Sequence, residues 1–239
     1  MDMLFLLSSD GGRYMEKLKK RTSISLLIKL ILAISAILGV YLSLSGKGFM
    51  GGGTALLYFT IQSNLWIAAV CLAGAALIAL RVQILDWMYI IKLVFTVSIT
   101  LTGFVFCFIL APTMKEGAWV FKNILTHVVV PVLAIADLLV FDCRFSYKFR
   151  HSLYTAIPPL YYMAFSAVGY VQGWNFGGGK NYPYFFLNWG SPAGIFGFTK
   201  ELPFMGVFWW LVVLLLFLFA VSALYIALMR KTEVKEKQF

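Results

Sequence analysis

Cysteine is scarce in this 239-residue chain. The three present, Cys71, Cys107 and Cys143, show no Cys-x-x-Cys spacing and fall at different depths of apolar segments, so they imply neither a disulfide framework nor a metal site. No nucleophile-elbow, zinc-protease, phosphate-loop or dinucleotide-binding motif is present. The run Gly177-Gly178-Gly179-Lys180 lacks the upstream strand and the trailing hydroxyl residue that a phosphate loop needs. Acidic residues are few, ten against twenty Lys and Arg, for a net charge of +10. No basic face interleaved with aromatics accompanies that excess, which argues against nucleic acid as a partner. The basic residues lie between apolar runs and at the termini, where they report membrane topology. No cofactor or metal is expected.

What the chain has in quantity is apolar surface. Hydrophobic residues make up 61% of it, and the mean hydropathy of +0.86 is far above that of a soluble domain. The expected fold is all-α, a polytopic membrane bundle of six transmembrane helices at about 24–45, 55–80, 89–111, 123–141, 153–172 and 204–229. A basic segment, 1–23, precedes the bundle, and a tail, 230–239, follows it. Lys29, near the start of the first span, is expected to snorkel back to the headgroups. Pro158-Pro159 should kink the fifth span. Thirteen Lys and Arg lie on the termini and even-numbered links against five on the odd-numbered links, so both termini are expected in the cytoplasm. The expected location is a bacterial cytoplasmic membrane.

The second span opens with Thr60, Gln62, Ser63 and Asn64, where lipid offers no water to satisfy them. At about 100° per residue, Thr60, Ser63 and Asn64 share a helical face and Gln62 points nearly opposite. Such groups serve either as a site or as packing glue between helices. Spans two and four enter from the same side. Thr60 lies five residues past Ala55 and His127 five past Lys122, so both sit roughly 7–8 Å below the same boundary. A Thr hydroxyl beside a neutral His is the minimum needed for acyl transfer, because Thr needs a base within reach to take its proton. Asn64 or Ser63 can then donate to the developing oxyanion. Asp137, ten residues beyond His127, lies roughly 15 Å deeper and is expected to form an ion pair with Lys92 instead. The hydroxyls of Thr96, Ser98, Thr100 and Thr102 are expected to bond back to their own helix.

The connection 173–203 is on the same side as Thr60 and His127 and is rich in aromatics. It should lie in the interface or fold back over the bundle, either as an aromatic belt or as a lid carrying Tyr182, Tyr184, Phe185 and Asn188.

Phe59-Thr60 in the second span, His127 with Pro131 and Asp137 in the fourth, and Tyr182-Pro183 before the sixth resemble the androgen-induced membrane hydrolases, most closely their compact prokaryotic relatives. The resemblance covers about residues 24 to 229. Members are intramembrane threonine hydrolases of fatty-acid esters of hydroxy fatty acids, and the resemblance implies Thr60 as nucleophile and His127 as its base. The proline stands one residue closer to the His than in the eukaryotic members, and the Gln62-Ser63-Asn64 and Tyr-Pro-Tyr-Phe-Phe stretches differ in detail. The expected function is therefore hydrolysis of an ester of a lipid or amphipathic acyl compound, with membrane lipids or lipid-like molecules as partners. A small-solute transporter or channel, or a membrane scaffold without catalysis, are the alternatives from other classes.

Overall fold

The computed structural model describes residues 9–46, 52–114, 116–142 and 145–237. Residues 1–8, most of the glycine-rich link after Ser45, Cys143 and the last two residues of the tail lie outside that description. Seven α-helices occur among the described residues: α1 (Ser9–Ser45), α2 (Phe59–Ala79), α3 (Asp86–Phe104), α4 (Phe121–Ile124), α5 (Val130–Val140), α6 (Ile157–Val171) and α7 (Val207–Lys237). The molecule is an all-helical membrane bundle. Five stretches are long and apolar enough to cross a bilayer: Lys19–Ser45, Phe59–Ala79, Asp86–Thr113, Phe121–Val140 and Val207–Lys231. The segment expected at 153–172 is built differently, as a short 3-10 stretch, Phe149–Ala156, leading into the 15-residue α6.

Pro158 and Pro159 consequently fall in the first turn of α6 and not in the interior of a span. First-turn residues have no intrahelical partner for their N–H, so prolines are accommodated there without a kink. The basic segment before residue 24 also differs from expectation, since from Ser9 onward it is continuous with α1.

Small side chains let α1, α2 and α5 approach closely. Ala33 and Ala36 on α1, Ala68 and Cys71 on α2 and Ala134 on α5 are buried together with Leu32, Ile67, Ile99 and Val130. With lipid as apolar as leucine, such close packing and interhelical hydrogen bonds supply the attraction that water exclusion gives in soluble bundles. A second core, built largely from aromatics, joins α3, α6 and α7 to the segment that connects the last two helices, through Tyr58, Leu93, Tyr162, Phe176, Tyr184 and Leu218.

Opposite the aromatic end, the bundle buries a network of charges. Lys92 donates to Asp137 at 2.6 Å, as expected from the sequence. Lys29 corrects the expectation made for it. It is 2% exposed and donates to Asp137 at 2.7 Å and to Asp142 at 3.2 Å. The reason is positional: α1 begins well before residue 24, so Lys29 sits inside a long helix whose inner face meets α5, and a carboxylate is nearer than any headgroup. Lys92 also donates to the Cys71 sulfur at 2.8 Å. Two cations and two anions thus pair with one another, the condition under which buried charge is tolerated.

Candidate functional site

Thr60 owes its position to the way α2 starts. The chain arrives as a 3-10 turn, Gly52–Leu57, and Tyr58 is the extended N-cap residue. Thr60 is then the second helical residue, and its N–H belongs to the first turn, where no carbonyl lies behind it. That N–H points at the Tyr184 hydroxyl at 3.4 Å. The Thr60 side chain contacts His127 Nε2 at 3.2 Å and the Tyr184 hydroxyl at 3.5 Å. Thr60, His127 and Tyr184 are all buried.

His127 sits in a π turn, Leu125–Val129, between α4 and α5. The cause is Pro131. A proline clashes with the carbonyl four residues behind it, here that of His127, and has no N–H to give. The helix responds by widening, with Val130 N–H bonding the carbonyl of Leu125, five residues back. A second π turn, Val105–Leu110, follows α3 and precedes Pro112 in the same way. The two wide turns face each other, and Phe106 stacks on the His127 ring with centroids 3.8 Å apart and planes 21° apart. Turns of this type recur at functional sites. Glycines make the fit possible on both flanks. A Cβ on Gly103 would lie 2.8 Å from the His127 carbonyl oxygen, and one on Gly39 would lie 2.6 Å from Thr126 Cγ2.

The hydrogen bonds of the ring assign its tautomer. His127 Nδ1 lies 3.0 Å from the Asn123 carbonyl, which only accepts, and 2.9 Å from Thr126 Oγ1. The Thr126 hydroxyl donates to the Lys122 carbonyl at 2.9 Å. Nδ1 therefore carries the proton, and Nε2 presents a lone pair to the Thr60 hydroxyl. A backbone carbonyl fills the orienting role that a carboxylate takes in many triads. Asp137 is engaged by the two lysines at the far end of the bundle.

Thr60 lines a small apolar pocket with a cavity volume of about 60 Å³, below the usual range for small-molecule sites. Its walls come from α2, α3, α6, α7 and the segment 184–187, and its polar groups are hydroxyls, those of Thr60, Thr102, Tyr162 and Tyr184. Among the described residues, no charged side chain lines it.

Other residues singled out from the sequence are placed as follows. Asn64 donates to the carbonyls of Thr60 at 2.7 Å and Thr126 at 3.2 Å, which ties α2 to the π turn that carries His127. Ser63 bonds Thr102 on α3 at 2.8 Å. Neither Asn64 nor Ser63 lines the pocket. Ser98, Thr100 and Thr102 do bond back to carbonyls four residues behind them.

The connecting segment folds over the bundle through buried Phe176, Tyr184, Phe186 and Leu187, and Tyr58 donates to the Phe176 carbonyl at 2.5 Å. Tyr184 alone of the four lid candidates lines the pocket. Phe185 packs edge-on against Trp210, Asn188 accepts from the Gly190 N–H, and Tyr182 lies under the Lys180 ammonium.

Burial raises the Tyr184 phenol above its ordinary value, which keeps it a protonated donor. The sequence offered Tyr184 only as lid material. Its approach to the first turn of α2 depends on how a segment more than a hundred residues away folds back, and no local spacing encodes that. The π turn, by contrast, has a local signal, a proline four residues after the histidine. No family model, no curated protein and no solved structure matches the chain, so the assignment of chemistry rests on this geometry.

Proposed function

We propose that the protein is an intramembrane hydrolase of a lipid-like ester, with Thr60 as nucleophile and His127 as its base. The observation that carries this reading is the 3.2 Å contact between Thr60 Oγ1 and His127 Nε2, with Thr60 on the wall of an apolar pocket. In the first step the Thr60 hydroxyl gives its proton to Nε2 as its oxygen bonds the ester carbonyl carbon. The carbonyl oxygen becomes an oxyanion between the Thr60 N–H and the Tyr184 hydroxyl, exchanging their mutual contact for two donations to itself. The start of α2 adds the partial positive charge of a helix N-terminus. The tetrahedral intermediate collapses, and the proton on Nε2 passes to the departing alkoxide, leaving an acyl-threonine and an alcohol. Water, losing a proton to Nε2, then attacks the acyl carbon, and the fatty acid leaves as Thr60 recovers its hydrogen. The resemblance to the androgen-induced membrane hydrolases points to the same pair of residues.

Tyr184→Phe is the variant that isolates the oxyanion role. Loss of one such donor lowers kcat by roughly 10²–10³-fold. Because the ring and its packing survive, KM for a long-chain ester should change little. A loss expressed in KM with kcat preserved would show that Tyr184 binds substrate and does not stabilise the transition state.

The proposed topology has six crossings, with α6 and its 3-10 lead-in making the fifth, and both termini in the bacterial cytoplasm. An impermeant thiol reagent applied to intact cells should leave a cysteine at Thr232 unmodified and react with one at Lys200. The reverse pattern would invert the orientation and move the site to the other leaflet.

A further inference from the structure

The pocket has walls of two kinds. On the side of the connecting segment it is shut: Tyr184 and Phe186 are buried and stacked with centroids 5.1 Å apart, Phe186 packs on Trp210 at 5.7 Å, and Trp210 Nε1 donates to the Pro203 carbonyl at 2.9 Å. These packed rings cover that side of the pocket. The wall between α6 and α7 is made differently. Pro159 and Met163 on α6, and Leu211 and Leu214 on α7, line the pocket, yet all four are half-exposed. α6 itself scarcely touches α7, which packs on α3 and on the 3-10 lead-in Phe149–Ala156, while α6 packs on α3. Beside this gap the outward residues are Leu160, Val213 and Leu216, which are exposed and apolar. In a bilayer they face acyl chains.

The geometry points to a lateral portal between α6 and α7, through which the acyl chain of an uncharged ester already dissolved in the bilayer slides into the pocket from the leaflet next to residues 173–203. This inference rests on the hydrolase reading for the word ester, but the portal is a property of the walls. Its occupant follows from their chemistry. With no cation on the pocket lining, a phosphate or carboxylate near the scissile bond would be left unpaired in an apolar site, so any ionic group of the substrate stays outside the gap. The chain lies against Leu101 and Val105 on the α3 side, and the ester group reaches Thr60.

The test uses full-length protein in phosphatidylcholine vesicles containing a trace of a long-chain methyl ester with a diazirine in mid-chain. Illumination followed by peptide mapping should place adducts on Met163 or Leu214 in the gap and on buried Leu101 or Val105 within, in the wild type and in Thr60→Ala alike. Leu214→Trp, or separately Met163→Trp on the facing helix, should lower the inner adducts about tenfold, since an indole removes space for several methylenes. Adducts confined to lipid-facing positions such as Val213 and Leu216 would overturn the portal, as would inner adducts undiminished by both tryptophans. Inner adducts in a protein that hydrolyses nothing would sink the hydrolase reading and uphold the portal. Hydrolysis without inner adducts would do the opposite.

Discussion

Thr60→Ala should lower hydrolysis of a long-chain ester in vesicles by about 10⁴-fold or more, the scale seen when one member of a nucleophile–base unit is removed. The Thr60 hydroxyl, at 3.2 Å from His127 Nε2, forms the acyl bond in the proposed mechanism. The other hydroxyls near Thr60 among the described residues are engaged elsewhere: Ser63 bonds Thr102, Thr102 donates to the Ser98 carbonyl, and Thr126, on the protonated Nδ1 side of His127, donates to the Lys122 carbonyl. His127→Ala should be as damaging, and the double variant no worse than either single one, because the pair acts as a unit. A fluorophosphonate should label the wild type, fail on both single variants and label Thr60→Ser weakly. Undiminished labelling of Thr60→Ala would take the threonine out of the mechanism.

Asp137→Asn should cost about 3–5 kcal/mol of stability, the loss found when one partner of a buried pair is removed and the other charge stays behind. Here the effect falls on two cations, since Lys29 and Lys92 both reach Asp137. The rescue should be unequal. Adding Lys92→Met to Asp137→Asn leaves Lys29 with Asp142 at 3.2 Å, a pair that already exists. Adding Lys29→Met instead leaves Lys92 without a hydrogen-bonded carboxylate, so stability should recover less. Unfolding in mixed micelles, followed by circular dichroism, measures each step. Equal recovery by the two second substitutions would show that only net charge matters, not which lysine holds which carboxylate.

Depth was the part of the site that could be read in advance. Thr60 and His127 lie at equal distances from the starts of two spans entering from one side, and hydropathy alone locates those starts. The same logic put Lys92 beside Asp137. It failed for Lys29, because an apolar window marks where a lipid-compatible run begins and not where a helix begins, and α1 starts at Ser9. Pro158-Pro159 misled for the same reason, with the helix boundary falling at Ile157 inside an apolar window. Ser63 and Asn64 share a face with Thr60, but facing a neighbour does not say which neighbour. The carbonyl of Thr126 lies within reach of the Asn64 amide. The donors now assigned to the oxyanion, a backbone N–H and a tyrosine from a distant segment, leave no mark in composition or spacing.

The lysine network also sets a clock for synthesis. Lys29 enters the bilayer with α1, and Asp137, its nearest carboxylate, lies 108 residues further along the chain. At ribosomal rates of about 5–20 residues per second, that leaves roughly 5–20 s before the partner it has in the finished fold is made. A chain stopped before α5 never ends that wait, so a nascent or truncated molecule differs from a finished one by an open positive charge inside the membrane.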